Sequence, residues 1–178
     1  MNNTLLIVVD MQNDFVTGVL GTPEAQAIVP RVVEKVDKAQ AVLFTMDTHN
    51  DKYLEKQEGR MLPIPHCLIG TEGREIIPQL AGRVDDFNTF TKGQFACRDL
   101  IGEVNDFIKY NSIGGVELIG VCTDICVVSN ALLLKAFFPE LPISVDASAC
   151  AGTTPENHKA ALNVMRACQI KITGESGQ

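Results

Sequence analysis

The chain has 178 residues, of which 46 % are hydrophobic, and its formal net charge is −7. That length suits one domain with a sizeable core, which we expect to occupy residues 1–178. The negative charge argues against non-specific binding to nucleic acid, because such binding depends on basic surface. No apolar run reaches the roughly 18 residues that span a bilayer, and no basic cluster suited to anionic lipid is present. A nucleic-acid or membrane partner is therefore not expected.

The six cysteines favour a reducing, cytoplasmic setting. A secreted disulfide scaffold is usually shorter and richer in cysteine. Several of the thiols lie inside apolar runs, which is typical of buried free cysteine. They are Cys67, Cys97, Cys122, Cys126, Cys150 and Cys168.

Apolar runs alternate along the chain with segments of helical spacing. Strands are predicted over residues 4–9, 41–46, 84–90, 116–121, 143–145 and 170–172, and helices over 24–38, 100–110, 124–138 and 155–167. Residues 47–74 are predicted to form a long loop, and loops of that length are usually functional. This alternation predicts a single-domain, three-layer α/β/α fold with a mostly parallel, Rossmann-like central sheet. Ligands of such folds bind beyond the carboxyl ends of the strands.

The segment 120–127 places Cys126 where a predicted strand ends and a helix begins. Free amide groups and the positive end of the helix dipole lie at such a position. They favour a thiolate, so we expect a lowered pKa for Cys126, and the same amides can bind an oxyanion. A buried structural thiol is the alternative, and the residues alone leave both open. A zinc or disulfide pair with Cys122 is weaker, because no second pair lies at suitable spacing.

Four runs, in this order, resemble the signatures of the nicotinamidase/isochorismatase-like cysteine hydrolase family. Residues 5–15 (LLIVVDMQNDF) are similar to the family's opening signature, and residues 90–95 (FTKGQF) to the segment with its active-site lysine. Residues 120–127 (GVCTDICV) are similar to its nucleophile segment, and residues 146–156 (DASACAGTTPE) to its last loop and helix start. The resemblance spans nearly the whole chain.

The resemblance implies a catalytic triad of Asp10, Lys92 and Cys126. Asp10 is then the general base, and Lys92 favours the charged forms of the carboxylate and the thiolate. It also implies a cis peptide bond before Cys122, which directs the backbone amides of Cys122 and Cys126 at the oxyanion. Without the family, Asp10 is only a carboxylate at a strand end and Lys92 a surface lysine.

Three residues at the second strand and in the long loop form a candidate metal site. Asp47 and His49 follow the predicted strand, and His66 lies further along the loop. A carboxylate and two imidazoles can bind a divalent metal, although a solvated loop histidine is the more ordinary interpretation of each. The resemblance to nicotinamidases implies that these residues hold zinc or iron.

The fourth metal ligand varies in the family between histidine and glutamate. Glu58 lies at a compatible spacing after His49, with Glu55 and Asp51 as close competitors. Isochorismatase-type members lack such a metal, so the triplet favours the amidase branch.

The resemblance also implies that Phe15 forms one aromatic wall of the substrate pocket. Nicotinamidases often place a second aromatic residue shortly before the ligand histidine, but residues 61–65 contain none and the chain has no Trp. Tyr53 is a candidate for this second wall. A ring stacked on one face only loses about 1 kcal/mol, which predicts weak binding of nicotinamide.

We therefore expect hydrolysis of a small amide through a thioester on Cys126, with release of ammonia. Two enzymatic alternatives are a metal-free N-carbamoyl hydrolase and an isochorismatase-type hydrolase, and the latter needs no thiol nucleophile. A catalytically silent member that binds ligands or senses redox state is the non-enzymatic alternative. Family members are often oligomers, which implies a homo-oligomer here.

Overall fold

The computed structural model describes residues 3–175 and contains one six-stranded sheet. Its strands are β1 (Thr4–Val9), β2 (Ala41–Asp47), β3 (Thr89–Lys92), β4 (Gly115–Val121), β5 (Ile143–Ala151) and β6 (Lys171–Thr173). Its helices are α1 (Asn13–Val16), α2 (Pro23–Lys38), α3 (Gln57–Met61), α4 (Leu100–Asn111), α5 (Val128–Phe137) and α6 (Pro155–Ala167). The strand order is β3-β2-β1-β4-β5-β6, and all neighbours are parallel. The predicted fold class is confirmed; the predicted domain, 1–178, extends beyond the described residues at both ends.

Helices cover both faces of the sheet. Across the sheet, the chain moves from β1 to β2 in one direction. It moves from β3 to β4, and then to β5 and β6, in the opposite direction. Because βαβ crossovers are right-handed, connections in opposite directions place their helices on opposite faces. Accordingly, α2 packs against β4 and β5, whereas α5 packs against α4 and α6. None of the helices within residues 3–175 has the length and apolar character needed to span a membrane.

Strand β1 forms the centre of the core. Its side chains from Leu5 to Val9 are at most 4 % exposed, and it is paired with β2 on one side and β4 on the other. Burying each such side chain contributes about 1.5–3 kcal/mol before entropy is counted. Helix α2 begins at a Thr22 cap, whose hydroxyl accepts from the Ala25 amide at 3.0 Å, and its buried residues include Ile28 and Val32. Apolar burial therefore fixes the register of the element that carries Asp10.

Strand β3 begins later than predicted. Residues 84–88 were expected in a strand, but Asp85 accepts hydrogen bonds from the amides of Phe87 at 2.8 Å and Asn88 at 3.0 Å. An aspartate that binds amides two and three residues ahead closes a turn instead of pairing with a neighbour strand. The strand therefore occupies Thr89–Lys92, so that Lys92 is its last residue.

Three other elements differ from the prediction. Strand β5 continues past residue 145 to Ala151, although small residues such as Ala147 and Ala149 have low strand propensity, because they are buried in the sheet. The helix predicted over 124–138 starts with a π-helical turn, Thr123–Val127, followed by α5. The predicted loop 47–74 contains the short helix α3 and two 3₁₀ turns.

The strand order reverses between β1 and β4, which is where doubly wound folds bind their ligands. The connections after β1 and β4 leave in opposite directions and open a crevice at the carboxyl edge of the sheet. At the end of β4, Gly120 has φ +115°, and a Cβ there would collide with the carbonyl oxygen of Val9. Only glycine fits this close approach of β4 to β1.

Candidate active site

Four strand ends bring the predicted triad and one predicted metal ligand together. Asp10 follows β1, Asp47 ends β2, Lys92 ends β3, and the turn with Cys126 follows β4. Lys92 Nζ lies 2.7 Å from Asp10 Oδ2, 3.5 Å from Cys126 Sγ and 3.6 Å from Asp47 Oδ1. All four residues are buried, and Asp47 and Lys92 are direct partners in the β2–β3 register. Lysine 92 is thus a buried cation, not the surface residue that its sequence alone suggests.

The charges of this cluster decide its protonation. Burial favours a neutral Lys92, but the charges of Asp10 and Asp47, and that of Cys126 once its thiol is ionised, outweigh it and raise the pKa of Lys92 above its usual value. Burial also raises the pKa of the Cys126 thiol, as does Asp10, while Lys92 lowers it only in part. The predicted lowering of the Cys126 pKa is therefore wrong, because desolvation and the charge of Asp10 outweigh the charge of Lys92. The resting group is a thiol with a carboxylate beside it.

Asp10 is held by β2. The hydroxyl of Thr45 donates to Asp10 Oδ1 at 2.6 Å, and the Asp10 amide donates to the Thr45 carbonyl at 3.2 Å. Asp10 adopts a left-handed backbone conformation, with φ +50°, that aspartate tolerates better than most residues. These contacts fix the carboxylate between the lysine and the thiol.

The turn before α5 presents Cys126 to the crevice. The peptide bond Val121–Cys122 is cis, as the resemblance implied, and both Cys122 and Cys126 line the cavity described below. The carbonyl of Cys122 accepts from the amides of Ile125 at 3.1 Å and Val127 at 3.0 Å. The turn is therefore wound tightly around Cys122.

The four residues proposed as metal ligands converge beside this cluster. One donor atom each from Asp47, His49, Glu58 and His66 lies within 4.8 Å of the others. His49 Nε2 is 2.9 Å from Asp47 Oδ2 and 3.7 Å from Glu58 Oε1, and His66 Nε2 is 3.4 Å from Asp47 Oδ2. The group includes Glu58 and neither of its two competitors.

The donor set fits a divalent ion. Atoms that each lie about 2 Å from a tetrahedral zinc are roughly 3.3 Å apart, which falls within the spacings observed here. The Nδ1 of His66 lies 2.8 Å from the Ile64 carbonyl oxygen, which can only accept a hydrogen bond. Nδ1 therefore carries a proton, so that the protonated ring donates from Nε2 to Asp47, whereas the neutral ring leaves the Nε2 lone pair for a metal ion. Burial opposes ionisation of Asp47, but hydrogen bonds from both histidines and the charge of Lys92 lower its pKa.

Gln12 positions Asp47, a role that the sequence did not indicate. Its fully buried amide donates to the Asp47 carbonyl and accepts from the Asp47 amide, both at 2.8 Å. It also donates to the Arg74 carbonyl at 2.6 Å. Because all of these hydrogen bonds are made, the Gln12 side chain continues the pairing of β1 with β2 beyond the end of β1. It thereby fixes the Asp47 carboxylate at the end of β2.

A cavity of about 970 Å³ opens onto the cluster. Its walls include Phe15, as predicted, and Phe95, which the sequence analysis did not assign. Tyr53 is not a wall: it is 1 % exposed, its ring lies behind His49 and His66, and its hydroxyl donates to a backbone carbonyl. The prediction for Tyr53 is therefore wrong, because its 3₁₀ turn packs the ring behind the metal donors. Phe95 could have been found from the sequence, because it is an aromatic residue three positions after the candidate active-site residue Lys92.

The third histidine, His158, connects α6 to the turn that contains Cys126. The hydroxyl of Thr123 lies 2.8 Å from His158 Nδ1, and burial lowers the pKa of His158 although Asp124 and Glu175 oppose this. A neutral ring can accept from the hydroxyl at Nδ1, whereas the imidazolium cannot. The lowered pKa favours the neutral ring of His158, whose Nδ1 can accept from the Thr123 hydroxyl.

We expect stability to fall at mildly acidic pH in a way that depends on His158. Because its folded-state pKa lies below the unfolded value of about 6.5, the contribution is present above that pH and is lost as the pH falls through the folded pKa. Unfolding by denaturant at pH 5–8 should show a shallower decline for His158→Asn. The difference stays below the single-proton limit of about 1.4 kcal/mol per pH unit. Identical slopes in both proteins would contradict the assignment, since the other two histidines are common to both.

Comparison with known proteins places these features in context. A family model described as the isochorismatase domain matches residues 4–176. The chain is 27 % identical over 206 residues to the nicotinamidase of Schizosaccharomyces pombe, covering 96 % of this chain and 92 % of that protein. A zinc complex of the pyrazinamidase of Pyrococcus horikoshii superposes with a TM-score of 0.76 at 27 % identity, covering 97 % and 99 %. The N-carbamoylsarcosine amidase of Thermoplasma acidophilum superposes with a TM-score of 0.74 at 26 % identity, covering 96 % and 95 %.

Proposed function

The chain belongs to the isochorismatase domain family, and on that premise we propose that it hydrolyses a small amide through a thioester on Cys126. The observation that carries the proposal is Lys92, which lies within 3.6 Å of the Asp10 carboxylate, the Cys126 thiol and the Asp47 metal donor. A base, a nucleophile and an electrostatic anchor therefore share one buried cluster at the base of a cavity.

Acylation begins when Asp10 takes the proton of the Cys126 thiol. Sulfur attacks the amide carbon, the carbonyl π-electrons move to oxygen, and the backbone amides of Cys122 and Cys126 stabilise the oxyanion. The carbon–nitrogen bond then breaks, Asp10 returns the proton to nitrogen, and ammonia leaves. The raised pKa of the Cys126 thiol supports the role of Asp10 as base, because the thiolate does not form without a group that takes the proton.

Deacylation uses the same base with water. Asp10 removes a proton from a water molecule whose oxygen attacks the thioester carbon. The carbon–sulfur bond breaks, the thiolate recovers the proton from Asp10, and the carboxylic acid is released. Lys92 stays protonated throughout and stabilises whichever neighbour is negative, which agrees with its raised pKa.

A divalent ion, zinc or iron, would be held by Asp47, His49, His66 and Glu58. When bound, it supplies a directional contact to a ring nitrogen or other polar atom of the substrate. The nucleophile is already present in Cys126, so the residues of this group bind and orient the substrate. Phe15 and Phe95 bind its flat faces from the cavity walls.

A reducing compartment, such as the cytoplasm, is part of the proposal. All six cysteines are free thiols, including the candidate nucleophile. A thiol nucleophile requires such conditions to stay active.

The proposal is tested by ammonia release from nicotinamide, pyrazinamide and short aliphatic amides, combined with metal analysis. We expect hydrolysis of the aromatic amides, with KM about 30-fold lower than for aliphatic amides of similar size, because the two aromatic contacts contribute about 1 kcal/mol each. Chelation should raise KM for nicotinamide at least tenfold, and zinc or ferrous iron should reverse this. The candidate metal ligands contribute to substrate binding, and a loss of substrate binding is measured as a rise in KM.

Two results would contradict the proposal at different levels. Ammonia release from none of these amides by metal-loaded protein would exclude the amidase function. Full activity of metal-free protein would instead favour N-carbamoyl substrates, such as that of the Thermoplasma acidophilum neighbour named for N-carbamoylsarcosine.

A further inference from the structure

Asn130 is a polar residue at a position where the sequence and burial both favour an apolar one. It lies in α5, one turn after Cys126, and its side chain is fully buried with Ala131 and Leu134 as buried neighbours along the helix. Asparagine is a poor residue for a helix interior, and a buried amide is costly unless its hydrogen bonds are made. Its presence therefore needs a reason outside the helix.

The contacts of Asn130 join two separate parts of the site. Its Oδ1 accepts from the Cys97 amide at 2.8 Å, and its Nδ2 donates to the Cys126 carbonyl at 2.8 Å and the Phe95 carbonyl at 3.4 Å. The first and third contacts reach the segment 93–97, which continues directly from Lys92. The second contact reaches the residue that carries the nucleophilic thiol.

We propose that Asn130 is a positioning residue that ties the segment 93–97 to the nucleophile turn and so fixes the Phe95 wall of the cavity. Phe95 is 49 % exposed, so burial of its side chain does not hold it in place. Lys92, in contrast, is held by β3 pairing and by Asp10. Loss of the tether therefore affects substrate binding more than the chemical step. The kinetic part of this inference rests on the proposed amidase function.

The test separates the two kinds of contact with one conservative substitution. Threonine has nearly the volume of asparagine, and its hydroxyl can donate to the carbonyl four residues earlier, here that of Cys126. Ser129 already makes this type of bond, to the Ile125 carbonyl at 2.6 Å. Asn130→Thr thus keeps the bond within the helix and loses both bonds to the segment 93–97. Ser129→Ala is the matched control, because it removes one hydrogen bond within the helix and none to that segment.

We expect Asn130→Thr to raise KM for aromatic amides up to about fivefold while kcat stays within about twofold, because the tether acts through the Phe95 contact, which contributes about 1 kcal/mol. Ser129→Ala should leave both parameters unchanged. In a Phe95→Ala background, adding Asn130→Thr should raise KM no further, because the wall it positions is gone. An equal rise of KM in both backgrounds would overturn the proposal, and so would an unchanged KM for Asn130→Thr alone.

Hydrogen exchange tests the tether without any activity measurement. In the wild type, the Cys97 amide should exchange far more slowly than an unprotected loop amide, and Asn130→Thr should accelerate it at least tenfold while Ser129→Ala does not. Rapid exchange of this amide in the wild type would overturn the proposal even if the variant failed to fold. If the wild type hydrolyses no amide, the proposed function fails, and exchange still decides whether Asn130 holds the segment.

Discussion

Cys126→Ala is expected to reduce amide hydrolysis by at least about 1000-fold, because no other group in the cluster can form the thioester. The lysine is protonated, and the Asp10 carboxylate is committed to proton transfer. The variant should remain folded, since alanine fits the same position without an unpaired polar atom. Ammonia release under substrate saturation measures the loss, and thermal unfolding confirms the fold.

Cys150→Ala is the matched control for this substitution. It removes a thiol that is also buried, in β5, but that does not line the cavity. Its activity should stay near that of the wild type. Retention of more than a trace of activity by Cys126→Ala would show that water, not sulfur, attacks the substrate.

Lys92→Met is expected to abolish activity and to destabilise the protein by about 3–5 kcal/mol, the usual cost of removing one partner from a buried ion pair. The side chains of Lys92 and Asp10 are both fully buried, so Asp10 would lose its cation without gaining water. Equilibrium unfolding in denaturant, at matched metal content, measures the change in the free energy of unfolding.

The double variant Asp10→Asn/Lys92→Met provides the control for charge. It removes both charges, so much of the lost stability should return, while activity should stay absent because the base is gone. If Lys92→Met is as stable as the wild type, the cluster does not contain a buried ion pair. If the double variant is less stable than Lys92→Met, packing and not charge accounts for the loss.

The fold could be predicted where burial and local capping agree. Residues 5–9 form a buried apolar run within β1, and Thr22 with Pro23 marks the start of α2, so both elements match their predictions within one residue. The prediction failed at residues 84–88, where Val84 and Phe87 were interpreted as strand residues although Asp85 closes a turn. It also shortened β5, because small buried residues carry little strand propensity of their own.

The site shows a different limit. Motif resemblance supplied Asp10, Lys92 and Cys126, but their spacing in the chain could not place them together; that follows from the strand order and register. The pKa of Cys126 was predicted in the wrong direction, because the desolvation that raises it depends on packing around the thiol. Tyr53 was assigned to the wrong side of the histidines for the same reason, since chain position does not determine which face a ring covers.

The strand order also has a consequence for the protein during translation. During translation, β1, β2 and β3 are completed before β4 is made. Asp10, Lys92 and all four candidate metal ligands belong to this first part of the chain. Until β4 emerges, one edge of β1 has no partner, and the residues from Leu5 to Val9 are apolar on both faces. Such an edge is prone to self-association until β4 covers it. The half that is made first lacks Cys126, so the proposed acyl transfer requires the turn that follows β4.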